Sequence, residues 1–159
     1  MKSFTIIAAL ICFSLLTKAQ VKIGDMAPAI SLPNTNDSIV NLNSYLGKVV
    51  LIDFWASWCG PCRQSNPAIV KLYNTYKGTG FQVFGVSIDN KKAAWIKAIK
   101  DDKIKFTQVS DLVGWNSKVA EMYGVNQIPT SFLLDKTGKI IATDLTAKQL
   151  ENKLKQLLK

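Results

Sequence analysis

The stretch from Val49 to Cys62, "VVLIDFWASWCGPC", constrains the fold more than any other part of the chain. "VVLIDFW" is a nearly continuous apolar run with β-branched residues, the signature of a central strand buried on both faces. Its one charged residue, Asp53, is therefore conspicuous. Two cysteines follow, three residues apart, with only Gly60 and Pro61 between them. Gly60 permits a tight turn, and Pro61 suits the first turn of a helix. A helix is expected from about Pro61 to Lys77, because Ile69, Leu72, Tyr73 and Tyr76 recur at helical spacing. Pro67 falls inside it and should kink it. A dithiol is thus placed where a buried strand turns into a helix.

The remaining elements build one α/β domain around that unit. "GDMAPAISLPNTNDSIVNLNSYLGK" is a loop-rich lead in which Val40 and Leu42 suggest a short edge strand. "FQVFGVSID" reads as a second buried strand. "KKAAWIKAIKDD" reads as an amphipathic helix with Trp95, Ile96 and Ile99 on one face. "KFTQVSDLVGW" mixes loop and short strand, and "SKVAEMYGV" is a short helix ending at Gly124. "IPTSFLLDKTGKIIATDL" is a hairpin closed by the turn "DKTGK". The final helix carries Thr146 and Gln149 at the spacing of a capping box, and its apolar stripe should pack on the sheet. Trp55, Trp95 and Trp115 are most simply core aromatics, although Trp115 could instead line a partner groove.

The N-terminus, "MKSFTIIAALICFSLLTKAQ", is expected to lie outside the domain. Lys2 precedes an apolar run from Phe4 to Leu16, and Thr17 and Ala19 supply small residues for cleavage after Ala19. Residues 1–19 thus read as a signal peptide and residues 20–159 as the mature domain. The apolar run is too short to span a bilayer, which takes about 20 residues. Bulky Leu10 and Ile11 before Cys12 argue against a lipid anchor. Export implies a periplasmic, oxidation-permissive address, or a membrane tether if the signal stays attached. The mature chain keeps only Cys59 and Cys62 of its three cysteines. The net charge is +9, yet the lysines are scattered, with no run of five. That pattern reads as a solvated basic surface, with no nucleic acid partner expected.

Three readings of the cysteine pair compete. A zinc site needs four ligands, and this chain has no histidine and no third cysteine once the signal is removed. No metal is therefore expected. A structural staple across so short a loop would add only about 2 kcal/mol before strain, which a domain of this size does not need. A catalyst fits the location best. Unpaired N–H groups and the dipole at a helix N-terminus favour a thiolate at Cys59. If its pKa fell from about 8.5 to about 6.5, the thiolate fraction at pH 7 would rise from roughly 3 % to roughly 75 %. Nucleophilicity falls with pKa, so attack would quicken only about threefold, and the shift would mainly set the redox poise. Cys62, one turn further in, should be buried, protonated and within reach of Cys59.

"LIDFWASWCGPCR" and "QIPTSFLLD" together resemble the two hallmarks of the thioredoxin superfamily. The signal peptide, the leading "GDMAPAISLPN" and the helical insertion before "SDLVGW" narrow the resemblance to the TlpA-type extracytoplasmic thiol–disulfide oxidoreductases, over residues 24–158. The resemblance implies a thioredoxin-like fold: a central mixed sheet flanked by helices, with a helical insertion and an N-terminal extension. It implies that Cys59 attacks, that Cys62 resolves, and that the redox-active disulfide is the sole prosthetic element, with no separate cofactor. It implies that Asp53 relays a proton to and from Cys62. Pro129 would be a cis-proline, with the Ile128 backbone pairing with the substrate chain. Trp58, Gly60 and Pro61 would shape the surface around the sulfurs. The expected partners are a disulfide-containing protein substrate and a membrane thiol donor, with the chain acting as a monomer. Cytochrome c maturation is a common task in that group, though no residue here selects it.

Two positions depart from the resembled pattern. Many extracytoplasmic relatives place a glutamate three residues after the second cysteine, where this chain has Ser65. Cytoplasmic thioredoxins place a lysine near the buried acid, where this chain has Gly85. Both departures bear on the redox potential. The alternatives are a thiol oxidase or isomerase, a peroxiredoxin-like peroxidase and a Cu(I) carrier. A peroxidatic site wants P-x-x-x-[ST]-x-x-C, but Ala56 and Ile52 stand where the hydroxyl and the proline should be. Two thiolates can hold Cu(I), but Met26 and Met122 form no methionine cluster. The Gly-Pro dipeptide favours a reductase over an oxidase.

Overall fold

The computed structural model describes residues 21–159, so the expected signal peptide at 1–19, with Cys12, lies outside the described residues. The lead segment folds into a hairpin of β1 (Ser31–Pro33) and β2 (Ile39–Asn41). Its turn is built on Asn34, whose Oδ1 accepts the N–H groups of Asn36 and Ser38. Val40 is in a strand as expected. Leu42 is not: it begins a 3-10 turn, Leu42–Tyr45, and the hairpin forms a sheet of its own.

The main sheet has five strands in the order β5-β4-β3-β6-β7. Its centre is β3 (Val49–Trp55), buried at every position. β4 (Phe81–Ser87) and β5 (Thr107–Val109) extend it in parallel on one side. β6 (Thr130–Leu134) and β7 (Ile140–Thr143) extend it antiparallel on the other. This is the mixed sheet that the resemblance implied.

Two crossovers in the same direction, made by α1 (Gly60–Tyr76) and α2 (Lys92–Asp101), put both helices on one face of the sheet. An ion pair joins them: Arg63 grips Asp102 through Nε at 2.5 Å and a second nitrogen at 2.7 Å. α4 (Ala147–Leu157) packs against α1 on that face, burying Leu150 and Leu154. Its capping box forms as expected, with the Thr146 hydroxyl accepting from the Gln149 N–H. α3 (Lys118–Met122) lies on the opposite face, where the Tyr123 ring meets Phe54 at a tilt and Phe132 edge-on.

α1 runs through Pro67. Two expectations about which side chains are buried need refining. α2 buries Trp95 and Ala98, whereas Ile96 is 41 % exposed. Trp55 and Trp95 are core residues, but Trp115 is half exposed and does not belong to the core.

Candidate active site

Cys59 is the N-cap of α1, with extended backbone, and Pro61 occupies the first turn. The cysteines form a disulfide with Cα atoms 5.3 Å apart. The Cys62 N–H, one of the donors that a helix start leaves unpaired, points at Cys59 Sγ from 3.2 Å. The same contact would favour a thiolate at Cys59 once the disulfide opens. Cys62 is the more deeply buried cysteine, at 1 % exposure against 5 %. Gly60 and Pro61 are both exposed. Arg63, next to Cys62, is committed elsewhere: it holds Asp102 and donates to the Ser57 carbonyl. Burial opposes ionisation of Asp102, but hydrogen bonds from Arg63 and Asn66 hold its carboxyl below the usual range. The guanidinium charge is thus neutralised at a structural ion pair rather than directed at the sulfurs.

Asp53 lies in the middle of β3 and is 4 % exposed. Burial alone pushes its pKa up to about 7, with no compensating charge or hydrogen bond. Its side chain borders a cavity of about 330 Å³ that Ser65, Pro129, Ser131 and Asp144 also line. Ser65 does not act on the acid: its hydroxyl donates to the Cys62 carbonyl at 2.9 Å. Gly85 pairs with Asp53 in the β3–β4 register, so the expected lysine position is indeed beside the acid. A side chain there would have to displace the Gln108 carboxamide. A Cβ on Gly85 would stand 2.1 Å from Nε2 of Gln108. Gln108 is a residue that sequence reasoning missed. Nothing in "KFTQVSD" marks it, because only the β4–β5 register lays it across Gly85.

The Ile128–Pro129 peptide is cis, as expected, and Pro129 borders the Asp53 cavity. Pro129 is exposed and Ile128 half-buried. Trp58 is 56 % exposed, and its ring lies 6.3 Å from that of Trp115, which is 50 % exposed. One polar network holds the two loops that carry these rings. Buried Asp89 accepts from the N–H and hydroxyl of Ser57 and from the hydroxyl of Ser87. Ser110 donates to the Ser87 carbonyl and accepts the Leu112 N–H. Asp89, Ser87 and Ser110 were not singled out from the sequence, since each looks like an ordinary polar residue at a strand end.

Cys59 and Cys62 are the only cysteines among the described residues, and reversible opening of their disulfide is the redox chemistry these groups offer. Fold and site together define a thiol–disulfide oxidoreductase of the thioredoxin-like class. The comparisons agree. The chain belongs to the AhpC/TSA family, whose model matches residues 23–143. It is 33 % identical over 141 residues to the thiol-disulfide oxidoreductase ResA of Bacillus thuringiensis subsp. konkukian, covering 87 % of this chain and 80 % of that protein. Among solved structures, it resembles the thioredoxin domain of a thiol-disulfide oxidoreductase from Bacteroides vulgatus, with a TM-score of 0.82 and 36 % identity, covering 88 % of this chain and 100 % of that one. It also resembles a thiol-disulfide oxidoreductase from Bacteroides fragilis, with a TM-score of 0.79 and 37 % identity, covering 84 % and 100 %.

Proposed function

We propose that this oxidoreductase reduces disulfides of exported protein substrates, with Cys59 as the attacking thiol and Cys62 as the resolving thiol. The observation that carries the assignment is the Cys62 N–H aimed at Cys59 Sγ. The more exposed cysteine is the one held by the helix N-terminus, so it is the one poised as thiolate.

In the reduced protein, the Cys59 thiolate attacks one sulfur of a substrate disulfide. The Cys59–substrate bond forms, the substrate S–S bond breaks, and one substrate thiolate leaves and takes a proton from solvent. Cys62 then passes its proton to the Asp53 carboxylate and attacks Cys59 Sγ. The Cys59–Cys62 disulfide forms, and the second substrate sulfur leaves. Two electrons have moved from the protein to the substrate. Asp53 suits the relay because burial sets its pKa near neutrality, where it can both accept and return a proton. Each half-cystine of the substrate would lie beside Pro129, with its backbone along Ile128 and its neighbouring side chains against Trp58, Gly60 and Pro61.

The direction of flow follows from what stabilises the reduced form. Strong oxidants stabilise their thiolate heavily. Here Cys59 receives one backbone N–H, the dipeptide between the sulfurs carries no charge, and Arg63 is spent on Asp102. A weakly stabilised thiolate makes the dithiol a good reductant. Export rests on the signal peptide expected at residues 1–19. No helix among the described residues is long and apolar enough to cross a membrane. An exported reductase needs recharging, for which a membrane thiol donor is the matching partner. One copy supplies both sulfurs, the acid and the cis-proline, so the protein works as a monomer.

Trapping tests the order of attack. Reduced Cys62→Ser protein mixed with a disulfide-bonded polypeptide should accumulate a mixed disulfide through Cys59, and Cys59→Ser protein should not. Trapping through Cys62 alone would reverse the assignment.

A further inference from the structure

Four residues form a row across the sheet: Gln108 on β5, Gly85 on β4, Asp53 on β3 and Ser131 on β6. Residues paired in register present their side chains to the same face. Gly85 presents none, and Gln108 reclines over it. Its Nε2 sits 2.1 Å from where a Gly85 Cβ would be, above the strand next to Asp53. Its Oε1 accepts the Trp55 indole N–H at 2.8 Å, which fixes the plane of the carboxamide. Trp55 is two residues beyond Asp53 on the same strand and the same face.

The other half of that carboxamide has no use so far described. Nε2 is buried and has no hydrogen-bond partner, and Gln108 as a whole is 5 % exposed. A buried donor left unpaired destabilises the fold, so a native protein keeps one for a reason. Asp53 has the complementary deficit, being a buried carboxyl with no donor to hold its charge. Adjacent strands lie about 4.8 Å apart, so with the amide held over Gly85 a bridging water could join its free N–H to the acid on the next strand. Any side chain on Gly85 would displace the amide.

We propose that Gln108 is the positioning residue for Asp53, with its Trp55-anchored carboxamide supplying the Nε2 hydrogen bond that holds the Asp53 carboxylate in the ionised half of the catalytic cycle. The inference rests on the reading of Asp53 as the proton relay. A neutral donor suits that task. It eases ionisation without fixing the acid in its charged form, as an adjacent cation would. Two other titratable groups bear on Asp53. α1 brings Cys62, one turn before the cavity-lining Ser65, and the β7–α4 connection brings Asp144, whose Oδ1 accepts the Ser131 N–H. α4 contributes only Ala147 and Leu150 to that cavity, and β6 contributes Ser131. Asp144 and Ser131 lie on the β6 side of Asp53, and the unpaired carboxamide N–H of Gln108 lies on the β4–β5 side.

The test is an NMR titration of the oxidised full chain, without substrate. The Gln108 side-chain NH₂ signals should shift with the same midpoint as the Asp53 carboxyl, and this shift should vanish in Asp53→Asn. In Gln108→Leu, the Asp53 midpoint should rise by about one pH unit, a roughly tenfold weaker acid. Gly85→Ala, which pushes the amide aside, should raise it as well. NH₂ signals that ignore the Asp53 titration in the unmodified protein would overturn the proposal without requiring any variant to fold. So would an unchanged midpoint in a folded Gln108→Leu protein. A separate failure, full turnover by Asp53→Asn, would remove the relay reading itself.

Discussion

Ser57 and Asp89 are joined twice: the Ser57 N–H donates to Oδ2 at 2.9 Å and the Ser57 hydroxyl to Oδ1 at 2.5 Å. This bond pair fastens the loop before the cysteines to the end of β4. Through Ser87 and Ser110 it reaches the loop that carries Trp115. Asp89→Ala should leave one buried donor, the Ser87 hydroxyl, and two part-buried ones on Ser57 short of an acceptor and cost about 1–3 kcal/mol in urea unfolding. Amide exchange at Ser57 and Trp58 should quicken more than at β3. Uniform protection across both would show that the loop is held by something else.

Trp115 should matter only for large substrates. Its ring, with Trp58, presents an exposed apolar surface next to Cys59. Trp115→Ala should raise KM for a protein disulfide about threefold to tenfold and leave the rate with a small soluble disulfide unchanged. Equal losses with both would place the effect at the sulfurs instead.

Asp53 should make the oxidised protein lose stability as pH rises from about 4 to about 7. In the unfolded chain the acid ionises near pH 4, and in the native state near pH 7. Between these values the native state keeps a proton that the unfolded state releases, so stability falls as pH rises. The loss above pH 7 is on the order of 4 kcal/mol. Asp53→Asn removes the titration. The variant should match the parent at pH 4 and exceed it at pH 8 by up to that amount. It should also lose turnover, by about 100-fold, if the relay is rate-limiting. Parallel stability curves from pH 4 to pH 8 would contradict the buried-acid account.

Asp102 has the opposite sign. Its carboxyl is held below the usual range, so the stability it adds is present at neutral pH and is lost as pH falls below about 4. Asp102→Ala should cost about 1–3 kcal/mol at pH 7, as expected for a bidentate, partly buried ion pair. The cost should shrink towards pH 2. A cost independent of pH would assign Asp102 a packing role rather than an ionic one.

The parts of the fold legible in the sequence were those with local causes. The run "VVLIDFW", the Pro61 start and the Thr146–Gln149 box each act within a few residues, and each forms where expected. The cysteine pairing, the burial of Asp53 and the cis bond before Pro129 were legible because the motif carries those residues. What escaped depends on register between distant strands. Gln108 matters only because β5 pairs with β4 so that it faces Gly85, and no periodicity in a three-residue strand reveals that. Trp115 looked like core because an aromatic near apolar residues usually is. Its 3-10 turn instead holds it outward. Leu42 continued an alternating pattern, but the chain turns at Asn41.

The reduction potential of the Cys59–Cys62 couple, measured by equilibration against defined thiol buffers, tests the central claim most directly. One backbone donor at Cys59 and an Arg63 committed to Asp102 lead to a value near or below about −250 mV, in the range of thioredoxin. A value of about −120 to −180 mV would place the protein with oxidases and isomerases and contradict the proposed direction of electron flow.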